Sequence, residues 1–185
     1  RSVARITPEA TVRVGWTEVG GLRAPALSFS GLAYGPLAPG TTAGLRRAPP
    51  LDGIGLLAQV PESEILKRAD SADANHDGVA GRVPWLYRNG KRVLGRFGWR
   101  ANEPDILSQT ASAFSRDIGM STRLDPAPWG DCTAAERACR AGPHGSEHGE
   151  PEIADQILRS VVAYVSGLPA PPAAKPGAGE QLFNA

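Results

Sequence analysis

The sequence predicts a mainly α-helical chain with long irregular loops and one small antiparallel β-hairpin. Three observations carry that expectation. Apolar residues recur at helical spacing in the segments 51–69, 103–116 and 151–166. Asn89-Gly90, a pair suited to the two positive φ angles of a type I′ turn, joins two short segments that carry Trp85, Tyr87 and Phe97. Between these segments, 22 glycines and 17 prolines among 185 residues favour long pinned loops over regular structure.

Taken in order, residues 10–19 alternate in part through Val12, Val14 and Trp16, which reads as a short strand ended by Gly20-Gly21. Residues 24–50 are aperiodic and read as a long loop, with at most a short strand at 26–29. The apolar run 51–60 is a helix candidate with Asp52 as its cap. Gly53 and Gly55 each cost such a helix about 1 kcal/mol relative to alanine, so they are expected to permit close approach to another element. Pro61 suits a first helical position, with Glu62 and Glu64 favourable at the positive end of a short helix through Ala69.

The hairpin pattern follows at 83–97, and Pro84 places its first strand at a sheet edge. A helix over 103–116 has Asn102 as its expected N-cap, Pro104 in its first turn, and Ile106, Leu107, Thr110, Ala113 and Phe114 on its apolar face. Thr133 and Glu136 have capping-box spacing and open a short helix. Pro151 starts the strongest helix, with Ile153, Ile157, Val161 and Val165 at four-residue spacing joined by Leu158 and Val162. Asp155 and Arg159 can pair one turn apart, and Gly167 stops the helix. Residues 169–176 read as an extended linker.

The net charge of +1 gives no electrostatic basis for binding nucleic acid or an anionic membrane. No apolar run approaches the roughly 18 residues of a membrane span. The 41% hydrophobic content argues against disorder. No nucleophile-elbow or phosphate-loop pattern is present, which disfavours hydrolase and nucleotide-binding chemistry. Cys132 and Cys139 form a disulfide or remain two thiols. On one straight helix their Cα atoms would be roughly 10 Å apart, so a disulfide requires the helix to begin after Cys132 or to end before Cys139.

Asp73, Asn75 and Asp77 place oxygen ligands on alternate positions ahead of Gly78, the first half of a calcium loop, with the Val79 carbonyl as the next ligand. The twelfth position is Pro84 rather than glutamate, so Asp70, the Gly81 carbonyl or water would complete the shell around a structural Ca²⁺. The alternative is an Asx-turn loop without metal. His76 occupies a non-ligand position in that loop. His144 and His148, with Glu147 and Glu150 nearby, lie in a glycine-rich loop that opposes the helix a zinc pair needs. Met120 is a candidate axial haem ligand or a core filler.

Several stretches together resemble the bacterial di-haem oxidoreductases, a family of thiol oxidoreductases and peroxidase-like di-haem proteins. They include Tyr34-Gly35-Pro36-Leu37, Ala48-Pro49-Pro50-Leu51 with Gly53 and Gly55, the Asp-Gly loop with Gly81-Arg82, Gly95-Arg96-Phe97-Gly98-Trp99, Gln109-Thr110, Asp117-Ile118-Gly119, the two cysteines, and Pro151-Glu152-Ile153. The resemblance implies a cytochrome c peroxidase-like parent architecture with two c-type haems, in a periplasmic or extracellular oxidoreductase. It implies that Trp99 and Phe97 pack near a haem, with Trp99 between redox centres and Arg96 pairing a propionate. This chain has no Cys-x-x-Cys-His, so it is expected to attach neither haem.

On that basis residues 1–176 are expected to form a single inter-haem domain and 177–185 to begin a truncated cytochrome c-type domain, the chain being a middle portion of a longer protein. Its expected partners are the flanking haem-binding segments of the parent and an electron-transfer partner. Alone it should be an inactive scaffold. The alternatives are a haem-free, calcium-stabilised extracellular binding module and an enzyme with a non-covalently bound cofactor.

Overall fold

The computed structural model describes residues 8–172 and Gly179. Among these, the expectation of a mainly helical chain is not met: helix accounts for 25% and strand for 18%. Two compact units are present, one running to Ala48 with Asp131–His144, the other comprising Pro49–Gly130 and the chain from Gly145 onward.

The first unit is built on a hairpin of β1 (Thr11–Val19) and β2 (Leu22–Ser30), paired in register from Thr11 opposite Ser30 to Val19 opposite Leu22. Its two-residue turn is Gly20-Gly21, both at positive φ (58° and 77°), as a type I′ connection requires. Sequence reading ended the strand at these glycines. Pro25, Ser28 and Ser30 dilute the apolar alternation of β2, so the sequence indicates at most the short strand at 26–29 where the full strand is Leu22–Ser30. This second hairpin is half of the correction to the fold class. The unit also contains α4 (Arg137–Arg140), a single turn.

The other half is helix length. In the second unit α1 is Ile54–Gln59 and α2 is Glu62–Lys67. The cap of α1 is Gly53 at φ 73°, and not Asp52. Next come β3 (Trp85–Arg88) and β4 (Lys91–Leu94), joined through Asn89 and Gly90 at φ 50° and 73°. The type I′ hairpin is therefore present, with shorter strands than the pattern suggested. Then α3 (Ile106–Ala113) passes into a π-helical turn at Phe114–Ile118. Its cap is Asp105, whose carboxylate accepts the Ser108 N–H at 2.7 Å. The expected cap, Asn102, lies before the helix because the Glu103 backbone is committed to pairing with Phe97. Finally α5 is Asp155–Ser166, ended by Gly167.

The core of this unit lies between α3 and α5 in two clusters. One is Phe97, Ile106 and Val165, with Ile54, Val161 and Val162 packed against it. The other is Ala111, Ile153 and Leu158, with Leu107, Phe114 and Met120. Ile157 is 53% exposed although it belongs to the four-residue apolar series. Four residues advance a helix by 40° beyond a full turn, so such a stripe winds off the buried face. The termini of α1 and α5 meet without intervening side chains. A Cβ at Gly55 would overlap the carbonyl oxygen of Ser166, and one at Gly53 would lie 3.0 Å from the Ala170 Cβ. The two glycines thus serve the close approach expected of them.

Residues 173–176 of the expected linker, and all of 177–185 except Gly179, lie outside the described residues. Among the described residues no helix is long and apolar enough to cross a membrane.

Gly55→Ala forces the backbone of α1 away from α5. It is expected to cost about 1–3 kcal/mol, the range for overpacking, read as a lower urea midpoint at unchanged slope. Gly44→Ala, also at an ordinary φ and with the Arg46 Nε at 3.9 Å as the nearest atom to the added Cβ, is the control and should leave the midpoint nearly unchanged.

Candidate functional site

The segment Gly95–Trp99 organises the second unit. Phe97 is 2% exposed, and its ring sits in the cluster with Ile106 and Val165. Its backbone and that of Arg96 both donate to the Glu103 carbonyl at 2.9 Å, and Glu103 N–H returns a bond to the Phe97 carbonyl at 3.1 Å. The Glu103 side chain, 6% exposed, pairs with Arg88 of β3 at 3.4 Å, tying the hairpin to the entry of α3. Arg96 turns toward α1, where its guanidinium donates to the Leu57 and Ala58 carbonyls at 3.3 and 3.4 Å and also to the Val60 carbonyl. The Leu57 carbonyl also accepts the Val60 N–H at 3.3 Å, and with its guanidinium on these last carbonyls Arg96 acts as the C-terminal cap of α1.

On the outer side of the Phe97 cluster lies an apolar groove of about 220 Å³. Ile54, Ile106, Val161 and Val165 form both its lining and the packing around Phe97. Leu51 and Ile118 also line it and remain 51% and 64% exposed. Burying a side chain of this size is worth about 1.5–3 kcal/mol, so an open apolar groove is a surface suited to covering by another apolar group.

The four residues connected with haem, three by resemblance and Met120 by its ligand chemistry, are not gathered in one place. Phe97 belongs to one cluster, Met120 packs against the other, Arg96 caps α1, and Trp99 is 55% exposed. Met120 therefore has the surroundings of a core filler.

In the Asp-rich loop the side chains bind the loop's own backbone. Asp70 accepts from Ala74 N–H at 2.8 Å and Asn75 N–H at 3.4 Å. Asp73 accepts from Gly78 N–H at 3.3 Å, and Asp77 from Val79 N–H at 2.8 Å. Asn75 donates to Asp77 at 2.8 Å. Gly78 has φ 83°, the sharp turn expected of it, and Asp70 bridges to Gly81 across the loop's mouth. The carboxylates of Asp70, Asp73 and Asp77 do not all come within 4.8 Å of one another. His76, His144 and His148 are exposed.

Cys132 and Cys139 are joined in a disulfide with Cα atoms 6.1 Å apart. The condition set by the sequence is met, since α4 begins at Arg137, after Cys132. The Glu136 carboxylate reaches back to the Thr133 N–H, half of the expected capping box. Hydrogen bonds from Thr133, its side chain first and its backbone N–H second, hold this carboxyl below the usual glutamate range.

Sequence reading missed one polar cluster. Ser121 is fully buried; its N–H donates to Glu152 at 2.8 Å and its hydroxyl lies 3.1 Å from both Glu152 and Ser146. The other Glu152 oxygen accepts from Gly145 N–H at 2.6 Å, while Glu152 N–H donates to the Ser121 hydroxyl at 3.0 Å. One carboxylate thus ties the chain after the π-turn to the loop before α5. The only local signal was Pro151-Glu152-Ile153, too short to indicate partners 31 residues away.

Residues 37–182 match the family described as di-haem oxidoreductase, putative peroxidase, and the chain belongs to that family. No curated protein and no solved structure matches it. The family implies haem. The residues present do not fit covalent attachment, because both cysteines of the chain are bonded to each other and no Cys-x-x-Cys-His occurs.

Two predictions follow from these side chains. Glu152→Gln replaces an acceptor with an N–H₂ group facing a backbone donor and should cost about 1–3 kcal/mol by chemical denaturation. Asp155, held below the usual aspartate range by Arg159 first and Arg123 second, has the lower pKa in the folded state. Its contribution is present above the ordinary aspartate pKa and is lost as pH falls through the folded value. Asp155→Asn should therefore flatten the acid limb of melting temperature against pH and leave the slope near neutrality unchanged.

Proposed function

We propose that this chain is the portion of a peroxidase-like di-haem oxidoreductase that packs against haem-bearing segments and attaches neither haem itself. The family match over residues 37–182 carries this reading, and a sequence without Cys-x-x-Cys-His supports a scaffold role for these residues. The open groove beside the Phe97 cluster supports it, being the apolar surface that a haem-bearing segment of the parent covers. Phe97 and Met120 contribute from within the two clusters, Arg96 holds α1 in place, and Trp99 is the one of the four that is more than half exposed.

A structural Ca²⁺ belongs to the same reading. Asp73, Asn75, Asp77 and the Val79 carbonyl would hold it, with Asp70 completing the set. A carboxylate that accepts one N–H keeps lone pairs for a cation, so the observed hydrogen bonds are compatible with loading. The disulfide supports a periplasmic or extracellular location, where such bonds persist. An electron-transfer partner would then engage the parent rather than this chain.

The full-length gene product should show a Soret band and an intact mass carrying two haems; a colourless, haem-free product overturns the reading. Peroxidase turnover by a haem-free preparation of these 185 residues would contradict the scaffold role. After chelation, calorimetry should show one Ca²⁺ bound with a rise in melting temperature, and Asp73→Ala should abolish both. No heat and no shift in the unmodified chain would remove calcium from the account.

A further inference from the structure

The first unit contains a group of potential ligands outside the surfaces considered so far. The Glu9 carboxylate and the sulfurs of Cys132 and Cys139 all lie within 4.8 Å of one another. A Glu9 oxygen is 3.8 Å from the Cys139 sulfur. A disulfide sulfur carries no proton, so this is a contact and not a hydrogen bond.

We infer that Cys132, Cys139 and Glu9 form a redox-gated zinc site, closed while the disulfide is intact and able to bind one Zn²⁺ when it is reduced. Two thiolates and a carboxylate form a ligand set suited to zinc, leaving a fourth tetrahedral position for water. Zinc–ligand lengths of about 2.3 Å to sulfur and 2.0–2.2 Å to oxygen set a thiolate–carboxylate separation of about 3.6 Å at the tetrahedral angle. The Glu9–Cys139 contact is already close to that spacing. The same lengths place two thiolates about 3.8 Å apart. Rotation of the two side chains provides this from Cα atoms 6.1 Å apart.

The ligands are held by bonds that do not depend on the disulfide. Glu9 is anchored through its carbonyl, which accepts from Ala33 N–H at 2.8 Å. The turn between the cysteines closes on itself, with Glu136 N–H donating to the Thr133 carbonyl and Arg140 N–H to the Glu136 carbonyl, both at 3.1 Å. Beyond Cys139, its carbonyl accepts from Gly142 N–H at 3.1 Å. Reduction therefore releases two thiols on segments that retain their own hydrogen bonds.

The chemistry balances with a phosphine as the reductant. Phosphine, water and the disulfide give phosphine oxide and two thiols, with water supplying the oxygen and both protons. Zn²⁺ then binds two thiolates and the Glu9 carboxylate and displaces two protons.

The chain would be reduced with a phosphine, freed of it without air, and titrated with Zn²⁺ against a chromogenic chelator. The reduced chain should take one equivalent and the oxidised chain none. Co²⁺ in place of zinc should give a thiolate charge-transfer band and the intense visible bands of a tetrahedral site. Glu9→Gln keeps the disulfide and the shape of the side chain, and its reduced form should bind at least about tenfold more weakly, since even residues that only support a ligand cost that much. No zinc uptake by the reduced chain, uptake by the oxidised chain, or equal affinity in the Glu9→Gln chain would each overturn the proposal.

Discussion

The second unit depends on the burial of Phe97 together with the backbone pairing that holds it. Its ring fills the space between α3 and α5, and its peptide groups exchange hydrogen bonds with Glu103. Because Glu103 is the last stop of the chain before α3, that pairing fixes where the helix starts and moves its cap to Asp105. The neighbours of Phe97 extend the effect. Arg96 closes the end of α1, and the Glu103 side chain receives Arg88 from the hairpin. Both guanidiniums supply charged donors to acceptors beside the apolar cluster, where an acceptor left unpaired costs about 1–3 kcal/mol.

The groove is a consequence of the same packing. Ile54, Ile106, Val161 and Val165 meet Phe97 on one side and solvent on the other. The short π-turn after α3 carries Ile118 out to the surface, where no described element covers it. The glycines that let α1 approach α5 set the width of this surface, since a side chain at Gly55 would separate the two helices. A cluster that is complete on its inner face and open on its outer face is what a packing partner for another apolar group requires.

Much of this was legible in the sequence. Asn89-Gly90 located a hairpin because two consecutive positive φ angles restrict the residue types that fit. Gly53 and Gly55 indicated close approach because they lie inside an apolar run that would otherwise favour larger residues. The pairing of Asp155 with Arg159 followed from helical spacing, and is observed at 2.6 Å. What failed was non-local. The return strand after Gly20-Gly21 is legible at most over 26–29, and its full length comes from its register with β1, since Pro25 and two serines weaken its own signal. The start of α3 moved because pairing at Phe97 outweighed local capping preference. The Ser121–Glu152 cluster joins residues with no sequence signal in common. The bonds from the Arg96 guanidinium to the carbonyls at the end of α1 are non-local in the same way.

The central claim is that the groove beside Phe97 is covered by a haem-bearing segment of the parent protein. Amide hydrogen exchange on this chain alone and within the haem-loaded parent tests it directly, because exchange reports local opening residue by residue. Slower exchange in the parent over the groove segments 51–57 and 106–118, with little change in the hairpin β3–β4, is the predicted result. Equal exchange over those two segments in both samples would contradict the account.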